Sequence, residues 1–148
     1  MKKINVGDKY AIVDDEDFEY FNKFRWFLSN RGYAYRSCGG KSILMHKEVL
    51  VPDDGKVIDH INGDRLDNRR SNLRQATHAE NMRNRKIQVN NKSGFRGVHQ
   101  KKKDGLWYAQ IKVNGIQKFL GSFKNPLDAS MAYEKEAEKE YGEFRRIS

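Results

Sequence analysis

The chain has 148 residues, 37% of them hydrophobic, and its 29 Lys and Arg outweigh 20 Asp and Glu for a net charge of +9. That length holds one ordinary domain or two small ones, and so modest an apolar fraction fills two small cores more readily than one large one. A single cysteine, Cys38, excludes a disulfide framework and any multi-cysteine zinc site, and no apolar run reaches transmembrane length.

Residues 1–50 read as a small, mostly β lead-in. "KYAIVD" alternates weakly and suits a strand. "DEDFEYFNKFRWFLSN" opens on acids and carries Phe18, Phe21, Phe24, Trp26, Phe27 and Leu28, the pattern of a short amphipathic helix running into a strand. "GYAYRSC" and "SILMHKEV" flank Gly39-Gly40, a hairpin turn. The first 20 residues have no signal-peptide core, so the cytosol (the host's, if the chain is phage-encoded) is the expected compartment, with no membrane partner.

Residues 57–62 look like a strand, 63–71 like a long polar loop, and "NLRQAT" like a second strand. "THAENMRNRK" then starts a helix, with Thr77 and Glu80 spaced as a capping box. Residues 85–93 read as a basic linker between a module at 1–84 and another at 94–148. In the second module "FRGVHQKKK", "LWYAQIKVN" and "IQKFLGSF" are three short strands, separated by Asp104-Gly105 and Asn114-Gly115. A helix follows, with Asn125 as cap, Pro126 at its first position and Gly142 as its stop. The fold class is α+β: a strand–loop–strand–helix unit, then a three-stranded antiparallel sheet packed on one α-helix.

The positive charge is local. Residues 1–82 carry 14 basic and 13 acidic side chains, whereas 83–125 carry 11 basic ones and a single acid, Asp104. Such a field points to a polyanion. Just before it stands "VIDHINGDRLDNRRSNLR", which groups one histidine with acids, amides and arginines. Cutting a phosphodiester near neutral pH needs a base for water, positive charge on the phosphate, and oxygen ligands for a hard cation. Imidazole suits the base. Asp59, His60, Asn72 and Asn81 offer these parts, although neighbours on a regular strand point to opposite faces, so Asp59 and His60 would diverge.

Residues 56–84, with the Asp59-His60 pair, the "INGD.LDNR..NLR" run and the closing "NMRN", resemble the HNH endonuclease motif of phage and intron homing endonucleases. The resemblance implies a ββα-metal nuclease module holding one divalent cation, Mg²⁺ first and Mn²⁺ second. By position it implies His60 as the general base, Asn72 as the residue orienting it, and Asp59 and Asn81 as metal ligands. Arg65, Arg69, Arg70 and Arg74 are expected to include phosphate contacts.

In the second module, alternation puts Trp107, Ala109, Ile111 and Val113 on one face of the middle strand and Tyr108, Gln110 and Lys112 on the other. The latter face is polar, basic and aromatic, as suits DNA, and a three-stranded sheet can enter the major groove. "FRGVHQ", "LWYAQIKVNG", "FLGSF" and "DASMAYEKEA" resemble the plant ethylene-response-factor (Apetala-type) DNA-binding domain. That resemblance implies contacts by Arg96, His99, Lys101, Gln110, Lys112, Gln117 and Phe119, to which the surface pattern adds Tyr108 and Lys102. His99, Lys101, Gln110, Gln117 and Phe119 depart from the residues usual in that family, so the plant target sequence does not transfer. The expected function is a metal-dependent HNH endonuclease of homing type, acting on double-stranded DNA as a monomer or a DNA-bound dimer. Its rival is a non-catalytic, sequence-specific DNA-binding protein with a degenerate nuclease module.

Overall fold

Alternating apolar residues in "KKINV" and "KYAIV" make strands β1 (Lys2–Val6) and β2 (Lys9–Val13) an antiparallel hairpin, with Ile4, Val6, Ala11 and Val13 on its buried face. Helix α1 (Asp15–Phe21) follows, its first turn acidic as the helix dipole favours, and it buries Phe21. The Trp26 indole closes the turn beyond it by donating to Phe21 O at 2.8 Å. Strands β3 (Phe27–Leu28), β4 (Ala34–Cys38) and β5 (Lys41–Leu44) form a sheet in the order β3-β4-β5. "MHKEV" then leaves the strand and coils as α2 (Met45–Val49), which buries Met45, His46 and Val49. Arg36 of β4 clasps Glu48 of α2 through Nε at 2.9 Å and Nη2 at 2.6 Å, fixing the helix that carries His46.

Strands β6 (Val57–His60) and β7 (Leu73–Ala76) pair antiparallel, with Asp59 opposite Arg74 and His60 opposite Leu73. β6 ends at His60, two residues short of the span its sequence suggests, because the chain turns there and Gly63 N donates back to His60 O at 2.8 Å. A 3₁₀ turn at Arg70–Asn72 leads into β7. Helix α3 (His78–Arg83) begins with the expected capping box between Thr77 and Glu80. The polar loop between the strands is tied to the first hairpin: Ile12 N donates to Leu66 O and Asn68 N to Ile12 O, both at 2.8 Å. One core built from β1, β2, α1, α2, β6 and β7 runs through Ile4, Val13, Phe21, Met45, Ile58 and Leu73.

This chain is described by a computed structural model covering residues 1–84, 87 and 90–144, and it divides into two compact units, Met1–Asn84 and Arg85–Ser148. Residues 85, 86, 88 and 89 of the expected linker lie outside the described residues. Asn91 Oδ1 accepts from Ser93 N at 3.0 Å and Gly94 N at 3.1 Å, and Ser93 Oγ donates to Val98 O at 2.7 Å, so these residues are bonded into the second unit.

The second unit is a sheet of β8 (Val98–Gln100), β9 (Trp107–Val113) and β10 (Ile116–Phe123) in sequence order, with α4 (Pro126–Tyr141) on one face. At the β9–β10 turn Asn114 (φ 49°) and Gly115 (φ 83°) are both left-handed, the conformation a two-residue hairpin demands. Asn125 caps α4 by accepting from Asp128 N at 2.9 Å. Ala129, Tyr133 and Ala137 bury against Val98, Ala109 and Ile111. No helix among the described residues is long and apolar enough to cross a membrane.

Candidate functional site

Asp59 and His60 are adjacent, buried, and surrounded by separate sets of partners, as strand alternation requires. The Asp59 carboxylate meets α3 and β7. Its Oδ2 accepts from Arg74 Nε at 3.0 Å and Nη2 at 2.9 Å, and Asn84 Nδ2 lies 3.1 Å from both carboxylate oxygens. Asn84 also donates to His60 O at 2.8 Å, so it joins the helix end to β6. Only 5% of the Asp59 side chain and 12% of Arg74 are exposed, which makes this a largely desolvated ion pair.

The His60 ring faces the other way. Its Nε2 lies 3.2 Å from Asn68 Oδ1, and its edge meets the His46 ring at 5.1 Å with Tyr33 at 6.0 Å. Burial is the chief force on both imidazoles. It holds His60 below its ordinary value, against the Asn68 hydrogen bond and the carboxylates of Asp59, Asp64 and Asp67. It pushes His46 down to about 3, helped by His60 and Lys47. His46 Nδ1 is buried with no hydrogen-bond partner among the described residues.

Asn72, expected to orient the imidazole, makes its side-chain hydrogen bonds within the loop. Its Oδ1 accepts from Asn62 N at 3.0 Å, and its Nδ2 donates to Asn62 Oδ1 at 3.0 Å and to Asp67 O at 2.8 Å. Asn68 makes the side-chain hydrogen bond to His60. Similarly, the residue that α3 brings to the Asp59 carboxylate is its C-cap, Asn84, and no hydrogen bond between Asn81 and Asp59 is present among the described residues. Asn81 sits half-buried in the first turns of α3, its backbone N–H bonded to Thr77 O at 3.0 Å. Neither Asn68 nor Asn84 was singled out from sequence. Asn84 stood within reach of inference, because it lies one helical turn beyond Asn81 on the same face.

The arginines expected on phosphate all have partners within the unit. Arg74 is held by Asp59. Arg69 forks onto Asp67 through Nε at 2.7 Å and Nη2 at 2.6 Å, and its guanidinium is what holds the Asp67 carboxyl below the usual range. Arg70 donates to Asp17 at 2.8 Å and to Val49 O at 3.0 Å. Arg65 bonds Arg31 O and lies over the Tyr33 ring. The acids of α1 and of the loop supply the countercharges that the spacing alone did not reveal.

In the second unit, the strand register puts His99 opposite Tyr108, Gln110 opposite Phe119, and Lys112 opposite Gln117, all on the face away from α4. Their rings adjoin: Tyr108 lies 5.9 Å from His99 and 5.5 Å from Phe119, and Lys101 Nζ sits 4.0 Å over Tyr108. Phe119 is 59% exposed, far more than packing would leave a phenylalanine. Lys102 stands exposed in the β8–β9 loop. Arg96 precedes β8, half-buried, and its charge reaches Tyr133 of α4.

As to metal, Asp59 and the amide carbonyls on α3 are the hard oxygen donors a divalent cation takes, and Mg²⁺ is commonly held by one or two protein oxygens with water and phosphate completing its shell. Among the described residues Asp59 Oδ1 is met by Asn84 Nδ2 alone and has lone-pair capacity to spare. Asp59 therefore suits such a cation as one oxygen ligand, whereas Asn84 turns its Nδ2, a donor, to that carboxylate. No cluster of at least three His, Cys, Asp or Glu side chains suited to metal occurs among the described residues.

Residues 50–83 match the family model described as HNH endonuclease. A protein of Acanthamoeba polyphaga mimivirus named "Uncharacterized HNH endonuclease L560" is 29% identical over 140 residues, covering 91% of this chain and 72% of that one. "Protein 3.8" of Escherichia phage T7 is 36% identical over 63 residues, 43% of this chain and 52% of its own. No solved structure gives a significant match. The strand pair, the buried Asp59-His60 step and the capped helix thus coincide with a matched segment, and the N-terminal unit contains an HNH endonuclease domain.

Proposed function

We propose that this protein is a metal-dependent DNA endonuclease in which the first unit cuts and the second positions it on duplex DNA. The observation that carries this reading is His60, buried beside Asp59 at the end of β6 within the matched segment. His60 takes the proton of the attacking water, and the resulting hydroxide displaces the leaving oxygen of the scissile phosphodiester. Burial favours the neutral imidazole, the form that can accept that proton. Asp59, with Asn81, holds the divalent cation, Mg²⁺ or Mn²⁺. When bound, that cation supplies positive charge at the phosphate and its leaving oxygen.

The exposed face with His99, Tyr108, Gln110, Lys112, Gln117 and Phe119 lies against DNA, and Lys101 and Lys102 contact phosphates. The ethylene-response-factor resemblance and the local positive charge support this, and a homing or mobility role in a phage or intron follows from the first resemblance.

Plasmid nicking in Mg²⁺ and in Mn²⁺ tests the proposal. His60→Ala should lower cleavage by at least about 100-fold, the low end of general-base effects, with DNA affinity unchanged within a few-fold. A wild type that binds DNA but cuts in neither metal would instead establish the rival, a DNA-binding protein with a disabled nuclease module. The Arg74 and Asn84 contacts on Asp59 are what favour that rival.

A further inference from the structure

We infer that Asn68 is the positioning residue for the His60 base: it fixes which ring nitrogen carries the proton. The argument rests on the reading of His60 as the base and starts from the orientation of the Asn68 amide. Asn68 is 1% exposed, and its Nδ2 has only acceptors for neighbours, Leu66 O at 3.3 Å and Met45 Sδ at 3.4 Å. Flipping the amide would set its oxygen against a carbonyl oxygen, so the nitrogen belongs where it is placed.

The group facing His60 Nε2 at 3.2 Å is therefore the amide oxygen, which accepts and cannot donate. Nε2 must carry the hydrogen, and in the neutral ring Nδ1 is left with a lone pair. Nδ1 has no hydrogen-bond partner among the described residues, so that lone pair is free to take a proton from water. The opposite tautomer would set two lone pairs against each other in a buried site and would spend the only proton on the nitrogen that must act.

Asn68 is itself held from three directions. Its backbone N–H bonds Ile12 O at 2.8 Å, its amide hydrogens reach Leu66 O and Met45 Sδ, and its oxygen takes the imidazole. An acceptor so fixed keeps the ring from rotating as well as setting its proton. Asn72 bonds within the same loop and makes no hydrogen bond to the ring among the described residues.

The test uses the full chain labelled with ¹⁵N-histidine at pH 8, with the His60 signals assigned by their loss in His60→Gln. Wild type should show a protonated Nε2 and a pyridine-like Nδ1. Asn68→Leu, close in shape but unable to accept, should shift His60 toward the other tautomer and lower kcat roughly 10–100-fold with KM little changed, the usual scale for partners of a working histidine. Asn68→Gln keeps both an accepting oxygen and a donating nitrogen and should return the wild-type tautomer and most of kcat. A wild-type spectrum with protonated Nδ1, or an unshifted tautomer in folded Asn68→Leu, overturns the inference. The tautomer is read without cleavage, so an inactive wild type would count against His60 as a base while leaving the Asn68 assignment to be judged by the spectra. Should Asn68→Leu fail to fold, the comparison of wild type with Asn68→Gln decides: a common Nε2–H tautomer supports the inference, and divergence overturns it.

Discussion

Lowering the pH should destabilise the first unit through His46 before its carboxylates protonate. His46 is 4% exposed, packed against Tyr33 and His60 with Lys47 beside it, and its imidazole is pushed down to about 3. In the unfolded chain it titrates near ~6.5. Because the folded value is the lower one, the stability this group contributes is complete above about pH 6.5 and is lost as pH falls toward 3, where the folded ring at last accepts a proton. Between pH 6.5 and pH 5 the unfolded state binds nearly one extra proton, and at ~1.4 kcal/mol per pH unit that amounts to about 2 kcal/mol. His46→Phe keeps a ring in the cluster and removes the proton. Urea unfolding followed by Trp26 fluorescence in a Trp107→Phe background should show the parent losing about 2 kcal/mol more than His46→Phe between pH 7 and pH 5. His60, also held down by burial, is present in both proteins, so the difference reports His46 together with its coupling to His60. Equal pH slopes would refute the reasoning, because they would mean that His46 protonates as readily in the fold as outside it.

Arg74→Met should destabilise the metal-free protein by about 3 kcal/mol by stranding the Asp59 charge, and Mn²⁺ should raise the Tm of this variant more than that of the wild type; equal shifts by calorimetry would separate Asp59 from metal binding. Gly97→Ala should unfold or severely loosen the second unit, because a Cβ there would stand 2.3 Å from the Tyr133 ring and 2.5 Å from Gln110 O at a φ of +65°; a wild-type melting profile would contradict the packing. Lys112→Ala should reduce the salt dependence of DNA binding by about one ion while leaving sequence preference intact, and an unchanged slope in salt titrations would reject a phosphate contact.

Elements with strong local signals were legible in the sequence. The capping box at Thr77, the Asn114-Gly115 turn and the Asn125-Pro126 helix start each depend on residues that are neighbours in the chain. So does the alternation that buries Ala109 and Ile111 against α4. What escaped was decided by distant partners. "MHKEV" reads as strand by its flanks but coils, because Met45, His46 and Val49 bury together and Glu48 meets Arg36. The loop arginines read as free charges until α1 places Asp17 beside Arg70 and the loop turns Asp67 onto Arg69. The choice between Asn68 and Asn72 turned on which amide faces the ring, and spacing carries no information about that.

The bonds between Ile12 and the Leu66–Asn68 segment bear on how portable the nuclease motif is. Residues 50–83 are what a family comparison picks out, yet the loop inside them rests on a hairpin more than fifty positions upstream. A fragment cut at the motif's borders would keep its signature residues and lose the brace beneath Asn68. Grafting the proposed nuclease unit onto a DNA-binding scaffold would therefore require the whole of Met1–Asn84, since the first thirteen residues serve as the foundation of a loop whose chemistry is written elsewhere.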